Sequence, residues 1–317
     1  MPIKPPRLNY GDTVGIVAPA SPPANPKAID RAVEWLKSLG FEVELGTKVR
    51  KRLGFLAGTD RERAGDLMRM FGDRKIHAIV CLRGGYGTAR LLPLLDYRVI
   101  RANAKILLGY SDITSLHCAL LRKANMVSFH GPMLNADLIN GELPKFALES
   151  LRRTLMEPYP AGSICKDYAE KTVCIIRRGT ATGPLSCGNL SVLCTSVGTP
   201  YQPSFNGRIL CIEDLDEPPF RFDRMLTHLL NAGALQQVAG IAIGLNKNCT
   251  DPTAKNTKAY RQTVEDVVKE RLVGLKVPIV TGLPFGHVPW NATLPIGVKA
   301  KLDANKGDLS IIESAVS

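Results

Sequence analysis

The chain has 317 residues, 45% hydrophobic and 22% charged, and its 41 Lys plus Arg against 29 Asp plus Glu leave a formal net charge of +12. That length predicts two domains, at about 100–200 residues each, and either can bury a core. The apolar content excludes a largely disordered chain, and no apolar run approaches the roughly 18 residues that cross a bilayer, which excludes a membrane-spanning one.

In the first half, short apolar strands alternate with helices. Residues 13–18 read as a buried strand. Lys4 and Arg7 ahead of residues 14–20 loosely imitate a signal peptide, but Gly15 and Pro19 break so short a stretch, and the strand is the better reading. Residues 27–39 form a helix with Ile29, Ala32, Val33 and Leu36 on one face, stopped by Gly40. A strand at 41–45 precedes a helix capped by Thr59 or Asp60 and running to about residue 71, and 78–82 is a third, strongly apolar strand. After a glycine-rich turn come a helix at 88–95, a strand at 105–109 that leads directly into a helix over 112–123, and a fifth strand at 126–129. Such alternation predicts parallel pairing through right-handed crossovers, with helices on both faces.

From about residue 140 the pattern weakens around Pro144, Pro158, Pro160 and Gly162. The expected division is an N-terminal α/β domain over 1–140, a linker over 141–171 and a C-terminal domain over 172–317. The second half reads as mixed α/β, with strands near 173–177, 207–212, 238–244, 278–281 and the C-terminus, a helix at 221–232 and a polar helix at 257–271.

The positive balance suits nucleic acid, an anionic membrane or acidic small substrates. The densest basic run, Arg50-Lys51-Arg52, is short, no nucleic-acid motif accompanies it, and 6% aromatic residues leave few platforms for bases. Neither nucleic acid nor membrane is expected as a partner. Eight cysteines are too sparse for a disulfide scaffold, and Cys81 and Cys211 sit inside apolar runs, as reduced thiols of a cytosolic protein would.

In an open parallel sheet, ligands bind outside the carboxyl ends of the strands, so the turns there carry the chemistry. In Arg83-Gly84-Gly85-Tyr86-Gly87, glycines permit positive φ and let backbone N–H groups face an anion or a developing oxyanion. It is not GxGxxG, so no dinucleotide cofactor is expected. In Gly109-Tyr110-Ser111-Asp112 a strand passes to a helix without a loop; such an elbow lifts the Ser111 hydroxyl out of the sheet edge and leaves the Asp112 N–H as an oxyanion donor, although taken alone Ser111 reads first as a helix cap.

A nucleophilic serine needs a base and a group that orients the base. Of five histidines, His77 precedes a strand and His117 and His228 lie inside helices, leaving His130 at the end of the fifth strand and His287 on a Gly/Pro-shaped loop, which composition does not separate. Glu213-Asp214-Leu215-Asp216-Glu217 puts four acids in five residues at a strand end. A metal is not expected there, because no nearby His or Cys completes a ligand set.

Taken in order, Val14-Gly15-Ile16-Val17-Ala18-Pro19, Arg83-Gly84-Gly85-Tyr86-Gly87, Gly109-Tyr110-Ser111-Asp112-Ile113-Thr114, His130-Gly131-Pro132-Met133, Gly188-Asn189-Leu190, Glu213-Asp214 and Gly286-His287 resemble the LD-carboxypeptidases, also called muramoyl-tetrapeptide carboxypeptidases. The resemblance spans nearly the whole chain. It implies a serine peptidase with Ser111 as nucleophile, Glu213 as the triad carboxylate and His287 as the base, and with the backbone amides of Gly85 and Asp112 as the oxyanion hole. It also implies a flavodoxin-like or amidotransferase-like N-terminal domain, a swivelling β/α C-terminal domain, a cleft between them and a homodimer, with neither metal nor cofactor. The implied substrate is the L-Ala-γ-D-Glu-diaminopimelate-D-Ala tetrapeptide, which loses its terminal D-alanine during cytosolic recycling of cell-wall fragments. Arg83, Tyr86 and His130 are candidate substrate contacts. A related branch hydrolyses the acyl-sulfamoyl adenylate of processed microcin C, but the segment from Cys187 to Glu213 is compact and holds no Trp, which favours the peptidase. A non-catalytic binder of anionic cell-wall fragments is the remaining alternative.

Overall fold

The computed structural model describes residues 1–135, 137–138, 141–170, 172–251 and 262–317. Five strands of the first half, β1 (Thr13–Val17), β2 (Glu42–Leu45), β3 (Ile76–Cys81), β4 (Ile106–Gly109) and β5 (Ser128–His130), pair in parallel, as their apolar runs predict. Helices α1 (Lys27–Ser38), α2 (Asp60–Gly72), α3 (Tyr97–Ala102) and α4 (Thr114–Ala119) join or follow them. Val14, Ile16, Ile79, Leu107 and Phe129 are enclosed between these layers, each such side chain contributing about 1.5–3 kcal/mol on leaving water. Thr59 caps α2 in a reciprocal box: its hydroxyl accepts from the Glu62 N–H at 3.2 Å, and the Glu62 carboxylate accepts from the Thr59 N–H at 3.0 Å. The predicted helix at 88–95 is instead a 3₁₀ segment, Thr88–Leu94, with Pro93 inside it; proline removes a donor that an α-helix would need.

The remaining strands are β6 (Gly162–Ser163), β7 (Cys174–Arg177), β8 (Thr180–Asn189), β9 (Ile209–Glu213), β10 (Gly240–Leu245), β11 (Ile279–Gly286), β12 (Leu294–Ile296), β13 (Lys299–Asp303) and β14 (Asp308–Ile311). All but β12 form a second, mixed sheet in the order β6-β14-β13-β8-β9-β10-β11-β7. Strand β12 instead runs antiparallel to β5 and completes the first sheet, in the order β12-β5-β4-β3-β1-β2. Within the 141–171 stretch expected to be a linker lies a helix, α5 (Lys145–Leu155), while β6 pairs with β14; residues 140 and 171 fall outside those described. Strand β8 and the short helix α6 (Leu190–Ser196) that follows it are unannounced by apolar periodicity. Helices α7 (Pro219–Asn231) and α8 (Val264–Leu272) cover the second sheet; the expected start of the latter, at 257–261, lies outside the described residues.

Strands β8 and β9 run parallel in register, so that Asn189 stands beside Glu213 at their carboxyl ends. There the two sheets meet: the Asn189 N–H donates to Thr114 Oγ1 at 2.9 Å, and a side chain on Gly188 would collide with Thr114 Cγ2 at 2.4 Å.

Candidate active site

Strand β4 ends at Gly109, Tyr110 is extended, and Ser111 enters a 3₁₀ turn with φ +62° before α4 begins. A left-handed non-glycine residue costs about 1–2 kcal/mol, so its surroundings must hold it there. Tyr110 is buried and its hydroxyl donates to Asp137 Oδ1 at 2.9 Å. The buried Asp112 carboxylate accepts from the Thr88 N–H at 2.8 Å, and its carbonyl accepts from the Thr88 hydroxyl. Burial pushes the Asp112 carboxyl above its ordinary value.

Since Thr88 directly follows Gly87, those two bonds clamp the glycine-rich turn onto the elbow. The backbones can meet because Gly84 has no side chain: a Cβ there would stand 3.0 Å from Ser111 Cβ, 3.1 Å from its Oγ and 3.3 Å from the Asp112 nitrogen. Gly85, at φ +106°, is equally restricted, for a Cβ would meet Ser21 Oγ at 2.4 Å. Ser21 holds the turn from behind, its N–H donating to the Gly84 carbonyl at 3.3 Å and its hydroxyl accepting from the Tyr86 N–H at 3.2 Å. Beneath them the enclosed Arg63 guanidinium donates to the carbonyls of Pro19 and Gly87 and pairs with Asp60. Gly84 and the Asp112 amide therefore lie against Ser111 on a braced frame, with Gly85 next in the chain.

From the second sheet, Glu213 ends β9, fully buried, and His287 follows the end of β11. The His287 Nδ1–H donates to Glu213 Oε2 at 2.7 Å. Gly286 (φ +114°) permits this approach, since a Cβ there would crowd Glu213 Oε2 and the Leu245 carbonyl, each at 3.0 Å. Burial alone would depress the imidazole, yet the Glu213 charge and hydrogen bond outweigh it and raise its pKa above the ordinary value; burial would likewise raise Glu213, but His287 holds it low. Nε2 has no hydrogen-bond partner among the described residues. The ring, 12% exposed, packs edge-on against Tyr110 with centroids 4.7 Å apart, which sets it beside the residue preceding Ser111.

The other acids of the 213–217 cluster separate by role. Asp214 is buried and accepts from Asn189 Nδ2 at 2.8 Å, the Ser191 N–H at 2.9 Å and the Leu215 N–H at 2.9 Å, while burial raises its carboxyl to about 6. It ties the end of β8 to the end of β9.

His130, the sequence-level rival to His287, is fully enclosed between the rings of Tyr110 and Phe285, and burial lowers its pKa to about 4. Its expected place as a substrate contact is corrected accordingly: the ring is wholly buried against Tyr110 and Phe285. His117 is also interior, bonded to Ser128 Oγ and the Gly109 carbonyl. Arg83 is half-buried and donates to the Pro22 carbonyl at 3.2 Å, whereas Tyr86 is 54% exposed and packs against Phe55. Neither touches the Glu213–His287 pair. Sequence reasoning missed the roles of Gly84 as the point of close approach and of Thr114, Asn189 and Asp214 as the joint between sheets, although all four lie in the motifs quoted above; Asp137 had no signal.

Residues 14–131 match the LD-carboxypeptidase N-terminal domain and residues 182–302 the LD-carboxypeptidase C-terminal domain. A probable murein peptide carboxypeptidase of Bacillus subtilis (strain 168) is 37% identical over 99% of this chain and 95% of its own. Among solved structures, a muramoyltetrapeptide carboxypeptidase from Oxalobacter formigenes superposes with a TM-score of 0.80 at 30% identity, covering 94% of this chain and 97% of that one. The microcin C7 self-immunity protein MccF in its wild-type apo state superposes with a TM-score of 0.87 at 26% identity over the whole of both chains. With these matches running through both sheets and every turn described above, the chain belongs to the LD-carboxypeptidase family of peptidases.

Proposed function

We propose that this protein is a serine carboxypeptidase that releases terminal D-alanine from murein tetrapeptides through Ser111, His287 and Glu213. The observation that carries the reading is the 2.7 Å bond from His287 to Glu213, on an imidazole that packs against the strained elbow bearing Ser111. Glu213 keeps the proton on Nδ1, which leaves Nε2 as the basic nitrogen that takes the serine proton. His287 takes the Ser111 proton as Oγ attacks the carbonyl carbon of diaminopimelate. The Gly85 and Asp112 amides receive the oxyanion, a donor of this kind contributing roughly 3–4 kcal/mol. The imidazolium then passes its proton to the D-alanine nitrogen as the C–N bond breaks. Water, deprotonated by the same imidazole, cleaves the acyl-enzyme and restores Oγ–H.

The net charge of +12 suits a substrate rich in carboxylates. All eight cysteines are free thiols, in keeping with a cytoplasmic role in recycling cell-wall fragments, and by likeness to the family the working form is a homodimer. The likeness to MccF over the whole of both chains supports a second reading, hydrolysis of acyl-sulfamoyl adenylates. D-Alanine release from the tetrapeptide, measured for wild type and Ser111→Ala, separates the possibilities. We expect turnover that falls by about 10⁵–10⁶ in the variant. Turnover surviving the substitution sinks the serine mechanism, cleavage of acyl-adenylates alone favours the second reading, and binding without cleavage leaves a fragment binder.

A further inference from the structure

We infer that Asp137 is a specificity residue that reads an ammonium group of the substrate. It lies on the loop after β5, at the same carboxyl edge of the first sheet as Ser111, and is partly open to solvent. Its orientation is set on both oxygens: Oδ1 accepts from the Tyr110 hydroxyl at 2.9 Å and Oδ2 from the Met133 N–H at 2.7 Å. The same Tyr110 ring touches His287, so Tyr110 bridges the carboxylate and the proposed base.

Among the described residues no cation lies within ion-pair distance of Asp137; the positive groups that act on it, His287 and Lys247, do so from further off. Burial raises its carboxyl to about 6, which leaves it mostly ionised at neutral pH. A rigid, largely buried carboxylate without an ion-pair partner, in a chain of net charge +12, is costly to keep. A cation arriving with the ligand offsets that cost, and perturbed carboxyls in clefts mark such positions. Neither hydrogen bond to Asp137 consumes its charge, and each oxygen retains a lone pair for an N⁺–H donor.

This inference rests on the peptidase reading for its ligand, since the tetrapeptide has two amines: the free one on the diaminopimelate side chain and the one at the N-terminus of L-alanine. Acetylating either removes its charge. Calorimetric titration of the Ser111→Ala protein with the tetrapeptide and with each mono-acetylated form tests the assignment, together with Ser111→Ala/Asp137→Asn. Asparagine preserves the volume and one of the two acceptors, so it can lower affinity overall by a structural route, but a purely structural Asp137 would leave the difference between peptides unmoved. We expect one acetylation to weaken binding by about 10- to 100-fold, the range of a hydrogen bond to a charged group. Asp137→Asn should weaken the unmodified peptide to a similar degree and make that acetylation indifferent; the sensitive peptide identifies which amine is read. Equal binding of all three peptides by Ser111→Ala, no binding of any, or discrimination that persists in Asp137→Asn overturns the proposal. D-Alanine release by the wild type is scored separately: amine discrimination without release would sink the peptidase reading and keep the ammonium site.

Discussion

The two sheets hold their shares of the candidate site by different means. At the edge of the first, Ser111 has no side-chain hydrogen bond among the described residues and is placed through its backbone: φ +62°, the missing Cβ of Gly84, and the Thr88–Asp112 clamp on the next residue. At the edge of the second, His287 is placed by a side-chain bond to a buried carboxylate. A hydroxyl that must attack needs freedom of rotation on a fixed Cα, whereas a base must keep one tautomer and one orientation, and only a hydrogen bond to Nδ1 sets both.

Substitutions that exchange these means should break the contrast. Ser111→Gly removes the proposed nucleophile, so D-alanine release should fall as far as in Ser111→Ala; yet glycine tolerates the left-handed backbone, and thermal unfolding should show a gain of about 0.5–1 kcal/mol once glycine's extra chain entropy is subtracted from the relieved strain. A loss of stability would mean that the elbow is not strained. Next in size is Glu213→Gln, expected to lower kcat by about 10³–10⁴ with the fold intact, as when a triad carboxylate is amidated elsewhere. Its pH profile is the sharper readout. In the wild type the base must be neutral, so kcat/KM should fall as pH drops through a His287 pKa raised above 6.5. Without the Glu213 charge that acid limb should move to lower pH; an unmoved limb would assign it to another group. Smallest is Gly84→Ala, whose methyl would press on Ser111 and the Asp112 amide. Displacement by a fraction of an ångström should cost roughly 10²-fold in kcat, with KM for the tetrapeptide much less affected, and an unchanged kcat would show that the two turns need not touch.

Most of the first sheet was legible because its central strands are buried on both faces and therefore read as continuous apolar runs. Ile106-Leu107-Leu108-Gly109, passing without a loop to a helix, also revealed the Ser111 elbow. In the second sheet the central strand was hidden. Thr180–Asn189 contains Gly183, Pro184 and Gly188, and its identity rests on contacts that periodicity does not encode: Gly183 faces the Gly207 carbonyl at a spacing no Cβ could occupy, and Gly188 faces Thr114. Strand β12 is only three residues long and takes its meaning from pairing with β5.

What the amino-acid order determined by itself was the alternation of strand and helix, the two glycine-bearing turns, the acidic strand end and a choice between two histidines. Deciding between His130 and His287 required the tertiary structure, because both follow strands and both neighbour glycine. Packing of Tyr110 and Phe285 against one ring buries it and lowers its pKa, while the positive φ of Gly286 lets the other approach Glu213. Asp137 had no signature at all, for a carboxylate becomes a candidate only where burial, a tyrosine hydroxyl and a missing counter-charge coincide, and all three are properties of the packed molecule.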